Sequence, residues 1–294
     1  MVLLLIAGGV GIAVAATGGG GGGTAAGPNQ AAAVSDCGAR GGCGGRTPAK
    51  APAAPQSGTD AAGISHIKKL ISLGLPIYCA GPRGNAVAFT FDDGPGVYTH
   101  YALPKLQAAG ERATFFVVGK SIDAWPGWLP RELKVGTLAD HTYTHPQLTA
   151  LPADEVRQQL AATKQKIEAQ SGQPVYLWRP PYGARNPTVD SIGKSLGMLE
   201  ILWSTDSADS LGAEWDGIIR NVEAGLHPGA IILMHENHGQ TIRALTTLLP
   251  ELHRRHLRSV NLPELFATDP PSPEQVRRGP DGCAGGAKLR GNGG

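Results

Sequence analysis

Two adjacent carboxylates draw attention in the stretch AFTFDDGPG, residues 88–96. Asp92 and Asp93 follow an apolar run and precede Gly94 and Pro95. Like charges this close repel each other, so the pair requires a cation nearby or a proton on one of the carboxyl groups. A bound divalent cation would relieve the repulsion and would also supply hydrolytic chemistry.

Two histidines further along the chain are candidates for holding that cation. In the stretch DHTYTHP, His141 and His145 are four residues apart, so a helical turn would place both imidazoles on one side. Two histidines and one aspartate make three ligands and leave an open position, the arrangement of catalytic zinc. Such an ion polarises a carbonyl and lowers the pKa of bound water toward about 7, and the second aspartate could accept a proton from that water. The histidine spacing alone is equally typical of surface or core residues.

The elements that must position these residues begin near residue 80, where strand and helix patterns start to alternate. The runs AVAFTF and AIILMH are almost continuously apolar, as strands buried on both faces are. The alternation predicts a parallel sheet covered by helices, either open or closed into a barrel. In both architectures ligands bind at the carboxyl ends of the strands. Several reactive side chains directly follow strand-like runs: Asp92, Asp93, Arg179, Asp206 and His235.

Five motifs, TFDDGP, HTYTH, RPPYG, WSTDSAD and LMH, occur in this order between about Val87 and Leu265. In sequence and order they resemble the polysaccharide deacetylases, the NodB-homology domains of carbohydrate esterase family 4. The resemblance implies an α/β fold, a distorted (β/α) barrel of about seven strands. It also implies metal-dependent removal of acetyl groups from N-acetylated sugar polymers. The implied cofactor is a divalent metal ion, Zn²⁺ in the first place and Co²⁺ as the alternative.

The same resemblance implies roles for the charged residues already singled out. Asp92 matches the general base of the family, and Arg179 matches the arginine that orients this base. The metal ligands would be Asp93, His141 and His145. A turn at Asp92–Pro95 and a structural ion pair at Arg179 are the corresponding non-catalytic interpretations.

Four further positions match the family's substrate and acid groups. His235 matches the general acid, and Asp209 matches the carboxylate that keeps it protonated. Tyr182 matches the residue whose backbone N–H holds the oxyanion, and Leu233 matches a wall of the acetyl pocket. Packing at Tyr182 and a satisfied core histidine at position 235 are the structural alternatives.

Two positions depart from the family pattern. Ser210 follows Asp209 where relatives usually carry the tryptophan that closes the acetyl pocket, so substrate fit or rate would differ. Asp140 replaces the usual asparagine beside His141. The extra carboxylate would either raise metal affinity or only alter a hydrogen bond to a ligand.

The first seventy of the 294 residues do not have the pattern of a packed domain. Residues 1–16 are apolar and resemble a secretory signal peptide or a short membrane anchor, which predicts a secreted or envelope-anchored, extracytoplasmic protein. Residues 17–70, rich in Gly, Ala and Pro, predict a flexible linker. The NodB-homology domain would occupy residues 80–266, and residues 267–294 would form a C-terminal tail.

The four cysteines also fit an oxidising compartment. Cys79 and Cys283 bracket the domain and could form a disulfide that ties the tail back. Cys37 and Cys43 could pair locally. Sequence does not decide connectivity, and free thiols stay an alternative.

Charge and motifs restrict the partners of the protein. The formal net charge is only +2 and the basic residues are scattered, which argues against nucleic-acid binding. Neither a G-x-G-x-x-G after the first strand nor a G-x-x-x-x-G-K occurs, so a nucleotide site has no support. The expected partner is an N-acetylated polysaccharide, peptidoglycan first and chitin oligomers or poly-N-acetylglucosamine next. Rival functions are an O-acetyl esterase on xylan and a non-catalytic cell-wall-binding module. No protein partner is indicated, and we expect a monomer.

Overall fold

The computed structural model describes residues 58–284. The predicted signal peptide or anchor, residues 17–57 of the predicted linker, and the cysteines at 37 and 43 lie outside the described residues. So do the last ten residues of the predicted tail. Across the described part, no helix combines the length and apolarity that crossing a membrane requires.

The strands form one curled parallel sheet, which confirms the predicted barrel-like α/β fold. Its order is β5-β4-β3-β2-β1-β7-β6, with β8 paired to the start of β1. The sheet lies in a half-barrel, and its central strand β1 is the longest. The strands are β1 (Ala86–Gly94), β2 (Ala113–Val117), β3 (Gly136–Asp140), β4 (Leu177–Trp178), β5 (Leu199–Glu200), β6 (Thr205–Asp206), β7 (Ile231–His235) and β8 (Arg258–Ser259).

Helices cover the outside of the sheet between successive strands. The sequence has helical patterns at residues 101–110, 152–172, 186–197, 214–226 and 240–257, and a helix lies at each of them with ends shifted by one to three residues. The helices are α1 (Gly58–Leu73), α2 (Thr99–Ala109), α3 (Gly119–Ala124), α4 (Leu129–Glu132), α5 (Ala153–Ser171), α6 (Pro187–Ser195), α7 (Trp215–Gly225), α8 (Gly239–Arg254), α9 (Leu262–Thr268) and α10 (Pro273–Arg277).

The central strand β1 is buried on both faces, as its sequence predicts. Val87, Phe89 and Phe91 point to the larger apolar cluster, which includes buried residues of α2 and α8. Ala86 and Ala88 point to a second cluster inside the curl of the sheet. Burial on both faces fixes the register of β1 and therefore the position of the two aspartates at its end.

Helix α1 corrects the predicted linker, because residues 58–70 are helical rather than extended and flexible. Ile67 and Leu70, three residues apart on one side of α1, are buried in the same cluster as Leu265 and Phe266 of α9. A Cβ at Gly63 would overlap the backbone of Pro263, so glycine lets the two helices approach closely. The apolar spacing decides the structure here in spite of the Gly- and Ala-rich composition.

A segment before β1 makes backbone contacts with β5, at one end of the sheet, and with the residues before β7. The Ile77 N–H donates to the Glu200 carbonyl at 2.9 Å, and the Ala80 N–H donates to the Gly229 carbonyl at 2.8 Å. Cys79, between them, forms the disulfide with Cys283 that the sequence left open, with Cα atoms 5.8 Å apart. The cross-link fastens the end of the described chain to this segment.

Candidate active site

The sheet brings the predicted reactive residues to one edge. Asp92 in β1 and His235 in β7 are register partners on neighbouring strands. Asp93 follows Asp92, and His141 follows the last residue of β3. Arg179 directly follows β4. Because all of these strands are parallel, their carboxyl ends meet at the same edge, and the sequence prediction of their proximity is confirmed.

Asp93, His141 and His145 form a group able to hold a metal ion. Asp93 Oδ1 lies 3.3 Å from His145 Nε2 and 3.6 Å from His141 Nε2. The three ligand atoms all lie within 4.8 Å of one another, and this is the one such group of three or more His, Cys, Asp or Glu side chains found in residues 58–284. Asp93 Oδ1 is buried and has no hydrogen-bond partner. Since an unpartnered buried oxygen is costly, the donor set fits a cation.

Hydrogen bonding and burial prepare His141 as a neutral ligand. Its Nδ1 lies 2.8 Å from the Arg179 carbonyl, so Nδ1 carries the proton and Nε2 keeps its lone pair. Burial lowers the pKa of His141 to about 3, although the Asp93 charge works in the opposite direction. A neutral imidazole with a free Nε2 is the form that binds metal.

Asp92 pairs with a buried arginine through one oxygen, and its other oxygen, Oδ2, lies 3.6 Å from His141 Nε2. Its Oδ1 accepts a hydrogen bond of 2.7 Å from Arg179 Nη1, which also donates to Thr90 Oγ1. The remaining guanidinium donors reach the carbonyls of Ile201 and Leu202, so Arg179 has no freedom to turn away. Burial raises the pKa of Asp92, and the charge of Arg179 opposes that rise. A carboxylate with these opposed influences is suited to accept a proton.

His235 and Asp209 form a buried ion pair on the other side of Asp92. The Nδ1 of His235 lies 2.7 Å from Asp209 Oδ1. Asp209 Oδ2 accepts from the His235 backbone N–H at 2.7 Å and from the Thr241 hydroxyl. Burial alone would lower the pKa of His235, but the hydrogen bond and charge of Asp209 outweigh it and raise the pKa to about 9. Burial likewise opposes ionisation of Asp209, yet the bond to His235 holds its pKa at about 2. The imidazolium is therefore available as a proton donor at neutral pH.

The two predicted substrate positions lie at the same edge. Tyr182 is 59% exposed, and its ring meets the His145 ring edge-on with centroids 4.8 Å apart. Its backbone is left-handed, with φ of 62°. Leu233 is buried in β7 beside Thr90 of β1. Their roles toward an oxyanion and an acetyl group stay predictions.

Asp140 is explained by a backbone hydrogen bond. Its Oδ1 accepts from the Thr142 N–H at 2.7 Å. The side chain is fully buried, and burial raises its pKa well above the usual range. Asp140 is not part of the metal-ligand group. Both predicted consequences of this residue stay predictions.

Sequence reasoning missed several polar neighbours of the site. Asn237 donates to Asp93 Oδ2 at 3.2 Å, Thr241 donates to Asp209, and Gln159 binds the loop between the two histidines. Asn237 and Thr241 could have been suspected only from their closeness to His235 in the chain. Gln159 stands on a helix with several other glutamines and carries no signal of its own.

A buried carboxylate held by an arginine, a buried histidine–aspartate ion pair and a group able to hold a metal ion meet at the carboxyl edge of a parallel sheet, an arrangement that suits a hydrolase. The comparisons with known proteins give the family: the Polysaccharide deacetylase family model matches residues 80–201. A peptidoglycan-N-acetylglucosamine deacetylase of Bacillus cereus is 33% identical over 196 residues, which cover 64% of this chain and 71% of the relative. A chitooligosaccharide deacetylase of Rhizobium leguminosarum bv. trifolii is 32% identical, with 65% of this chain and 96% of the relative covered. The chain belongs to the polysaccharide deacetylase family, carbohydrate esterase family 4.

Some relatives are longer, and at least one is not an enzyme. The chain spans 48% of the length of PgdA, a peptidoglycan-N-acetylglucosamine deacetylase of Listeria monocytogenes, at 33% identity. Among solved structures, a family pseudoenzyme from Bacillus anthracis has a TM-score of 0.62 at 32% identity, covering 65% of this chain and 68% of that one. A mutant of the pseudoenzyme with restored enzymatic activity has the same TM-score.

Proposed function

We propose that this protein removes acetyl groups from an N-acetylated polysaccharide in a metal-dependent hydrolysis, with the N-acetylglucosamine of peptidoglycan as the leading substrate. The observation that carries the proposal is the buried, unpartnered Asp93 Oδ1, which faces the Nε2 atoms of His141 and His145. Two imidazoles and one carboxylate are a donor set that zinc favours. We therefore propose Zn²⁺ as the native ion, with Co²⁺ as a substitute.

The chain's own residues supply the proton transfers of this reaction. When bound, the ion polarises the acetyl carbonyl and lowers the pKa of the attacking water. Asp92 accepts a proton from that water while Arg179 holds its carboxylate in place. His235 donates a proton to the amine nitrogen as the C–N bond breaks. Water and amide are consumed, and acetate and a free amino sugar leave.

We further propose that Tyr182 and Leu233 contact the reacting acetyl group. Tyr182 supports this because its exposed ring lies against His145, one of the metal-ligand candidates. Leu233 is two residues before His235 on β7, so its side chain lies on the same face of the sheet. The backbone N–H of Tyr182 would stabilise the oxyanion, and Leu233 would form a wall of the acetyl pocket.

The setting we propose is extracytoplasmic, at the cell envelope or after secretion, with residues 1–16 as signal peptide or anchor. The Cys79–Cys283 disulfide supports an oxidising compartment. Relatives named for peptidoglycan deacetylation support the cell wall as the place of action. We expect a monomer, which light scattering on the purified protein measures.

Two alternatives are distinguished by observations. An O-acetyl esterase on xylan would use the same acid, base and metal group on an ester. A non-catalytic wall-binding module is raised by Ser210 and by the pseudoenzyme relative. Against it, the Ser210 backbone N–H donates to Asp209 Oδ1 at 2.8 Å, so the serine leaves the pair of Asp209 and His235 intact.

The deciding experiment measures acetate release from peptidoglycan, chitin oligomers and acetylxylan in parallel, with chelator and after addition of Zn²⁺ or Co²⁺. We expect the highest kcat/KM on peptidoglycan, loss with chelator and recovery with Zn²⁺. Asp92→Asn should retain metal and lose about 10²–10⁴ in kcat, the usual effect of removing a general base. Asp93→Asn should bind metal poorly. Asp154→Asn, exposed on α5, is the matched control.

Each outcome decides between the functions. Normal turnover by Asp92→Asn would refute its assignment as the base. Fastest release from acetylxylan would favour the esterase. Stoichiometric wall binding with no acetate release and no bound metal would favour the binding module.

A further inference from the structure

We propose that Gln159 on α5 is a positioning residue that holds the loop Thr142–His145 in the shape that lets both histidines share an ion with Asp93. The inference rests on the proposed metal site, and it concerns a residue that lies outside the five sequence motifs. Gln159 does not touch the ion or the substrate. It acts through the backbone between the two histidine ligands.

The contacts of Gln159 are concentrated on two consecutive residues of the loop. Its Oε1 accepts hydrogen bonds from the N–H of Tyr143 and from the N–H of Thr144, both at 2.9 Å. Its Nε2 donates to Thr144 Oγ1 at 3.0 Å. One side-chain amide thus makes three hydrogen bonds to two of the three residues that separate His141 from His145.

The loop needs such support because its backbone is strained at both ends. Thr142 has φ of 68° and His145 has φ of 59°, the left-handed region that non-glycine residues rarely adopt. Such a conformation costs free energy and persists only where the surroundings fix it. Thr142 is fixed by Asp140, whose Oδ1 accepts from its N–H at 2.7 Å. Gln159 holds the N–H groups of the two residues that follow, while the Lys120 N–H donates to the Tyr143 carbonyl at 2.9 Å from the other side.

Helix α5 is a rigid base for this contact. Val156, Leu160 and Ile167 on its inner side are buried in the main apolar cluster, so Gln159 stands between anchored turns. A second link runs through Tyr143, whose hydroxyl lies 3.1 Å from Lys166 Nζ on the same helix. Because this second link persists without Gln159, the loop should loosen rather than detach.

A looser Thr142–His145 loop should lower the metal affinity more than it lowers the free energy of unfolding. Thr144 is exposed, so water can satisfy its N–H when Gln159 is removed, and little free energy of unfolding is lost. Water cannot fix the distance between the loop and α5. Replacing groups that orient metal ligands typically costs about 10–100-fold in metal affinity. Because the Tyr143–Lys166 contact remains, we expect the loss of metal affinity to lie near the lower end of this range, about tenfold.

The test compares Gln159→Leu, Gln159→Ala and Gln159→Glu with the matched control Gln158→Leu, one residue along and exposed on the same helix. Zn²⁺ affinity is measured by competition with a chromophoric chelator, and Co²⁺ absorption reports ligand geometry. The melting temperatures of the full-length, metal-free proteins are also measured. We expect about tenfold weaker Zn²⁺ binding and an altered Co²⁺ spectrum in the Leu and Ala variants, with melting temperatures like that of the control. The Glu variant should bind like the wild type, because its carboxylate oxygens accept both N–H groups.

Several results would overturn the inference. The inference is wrong if Gln159→Leu and Gln159→Ala bind Zn²⁺ as tightly as the Gln158→Leu control. It is also wrong if a loss of affinity merely follows a loss of melting temperature, or if the Glu variant is as weak as the Leu variant. A wild type that binds no metal overturns the proposed function as well, whereas tight wild-type binding with an unaffected Gln159→Leu overturns this inference alone.

Discussion

Replacing Asp209 by asparagine should move the basic limb of the pH–rate profile downward by more than two pH units. In the wild type, burial lowers the pKa of His235, but the hydrogen bond and charge of Asp209, together with the charges of Asp92 and Asp93, raise it from 6.5 to about 9. An asparagine keeps the shape of the side chain and removes the charge. The asparagine oxygen can accept hydrogen bonds from the His235 backbone N–H and the Thr241 hydroxyl only if the amide NH₂ group faces the ring Nδ1 of His235. A donor at that position disfavours the imidazolium, and burial disfavours it further.

The size of the effect follows from the fraction of protonated His235. With a pKa of about 9, about nine-tenths of the imidazole is protonated at pH 8. With a pKa at or below the ordinary 6.5, about 3% is protonated at that pH. The variant should therefore lose about 30-fold or more in kcat/KM at pH 8. At pH 6 an unperturbed histidine is mostly protonated, so a variant whose pKa stays near 6.5 should lose less than about twofold.

The assay is acetate release measured from pH 5 to pH 10, together with an NMR titration of His235 in the metal-free protein. A cation bound at Asp93 lowers the pKa of His235 in wild type and variant alike, so the difference between them is the quantity to compare. Asp216→Asn, on the exposed side of α7, is the control and should leave both measurements unchanged. A variant with a constant loss at every pH, or with His235 still titrating near pH 9, would refute the reasoning.

Two further predictions concern stability. Burial raises the pKa of Glu236 from 4.5 to about 8, so between these pH values the unfolded chain is ionised while the folded protein keeps its proton. Stability then falls as pH rises, so Glu236→Gln should be clearly more stable than the wild type at pH 7 and almost equally stable near pH 4.5, as measured by urea unfolding at both pH values. An equal difference at both pH values would contradict this. Removing the Cys79–Cys283 disulfide in a double serine variant should cost about 2–5 kcal/mol in the same assay. An unchanged urea midpoint in the serine variant would show that the cross-link does not constrain the chain.

The sequence predicts the fold well wherever the apolar pattern is long. The almost continuously apolar runs at β1 and β7 both form strands, and the structure places these two strands side by side. β3, Gly136–Asp140, was missed because Gly, Thr and Asp occupy three of its five positions. It is nevertheless buried between β2 and β4. Helix α1 was missed for a related reason, since its two buried apolar side chains, Ile67 and Leu70, stand among Gly, Ala and Ser.

At the site, too, sequence patterns identify some residues and miss others: they identify the reactive side chains and miss the residues that hold them in place. Asp93, His141 and His145 could be identified because carboxylates and imidazoles at strand ends suggest metal binding by themselves. Gln159 and Asn237 could not, because amides are common on any surface. Gln159 contacts residues that are 15 and 16 positions away in the sequence, and Asn237 contacts a residue 144 positions away. No short-range pattern records such contacts.

Backbone strain marks the site more sharply than residue type does. Six non-glycine residues of the described chain have positive φ, and five of them stand at the carboxyl edge, the exception being His256. The five are Asp93, Thr142, His145, Tyr182 and Ala208, which include two metal-ligand candidates and the residue before Asp209. Each conformation costs about 1–3 kcal/mol, a loss that the buried strands beneath this edge must offset. A sequence selected for stability alone would place glycine at such positions, but glycine has no carboxylate or imidazole. The strain is therefore concentrated where a side chain of a particular kind has to be held at a particular angle, as an active site requires.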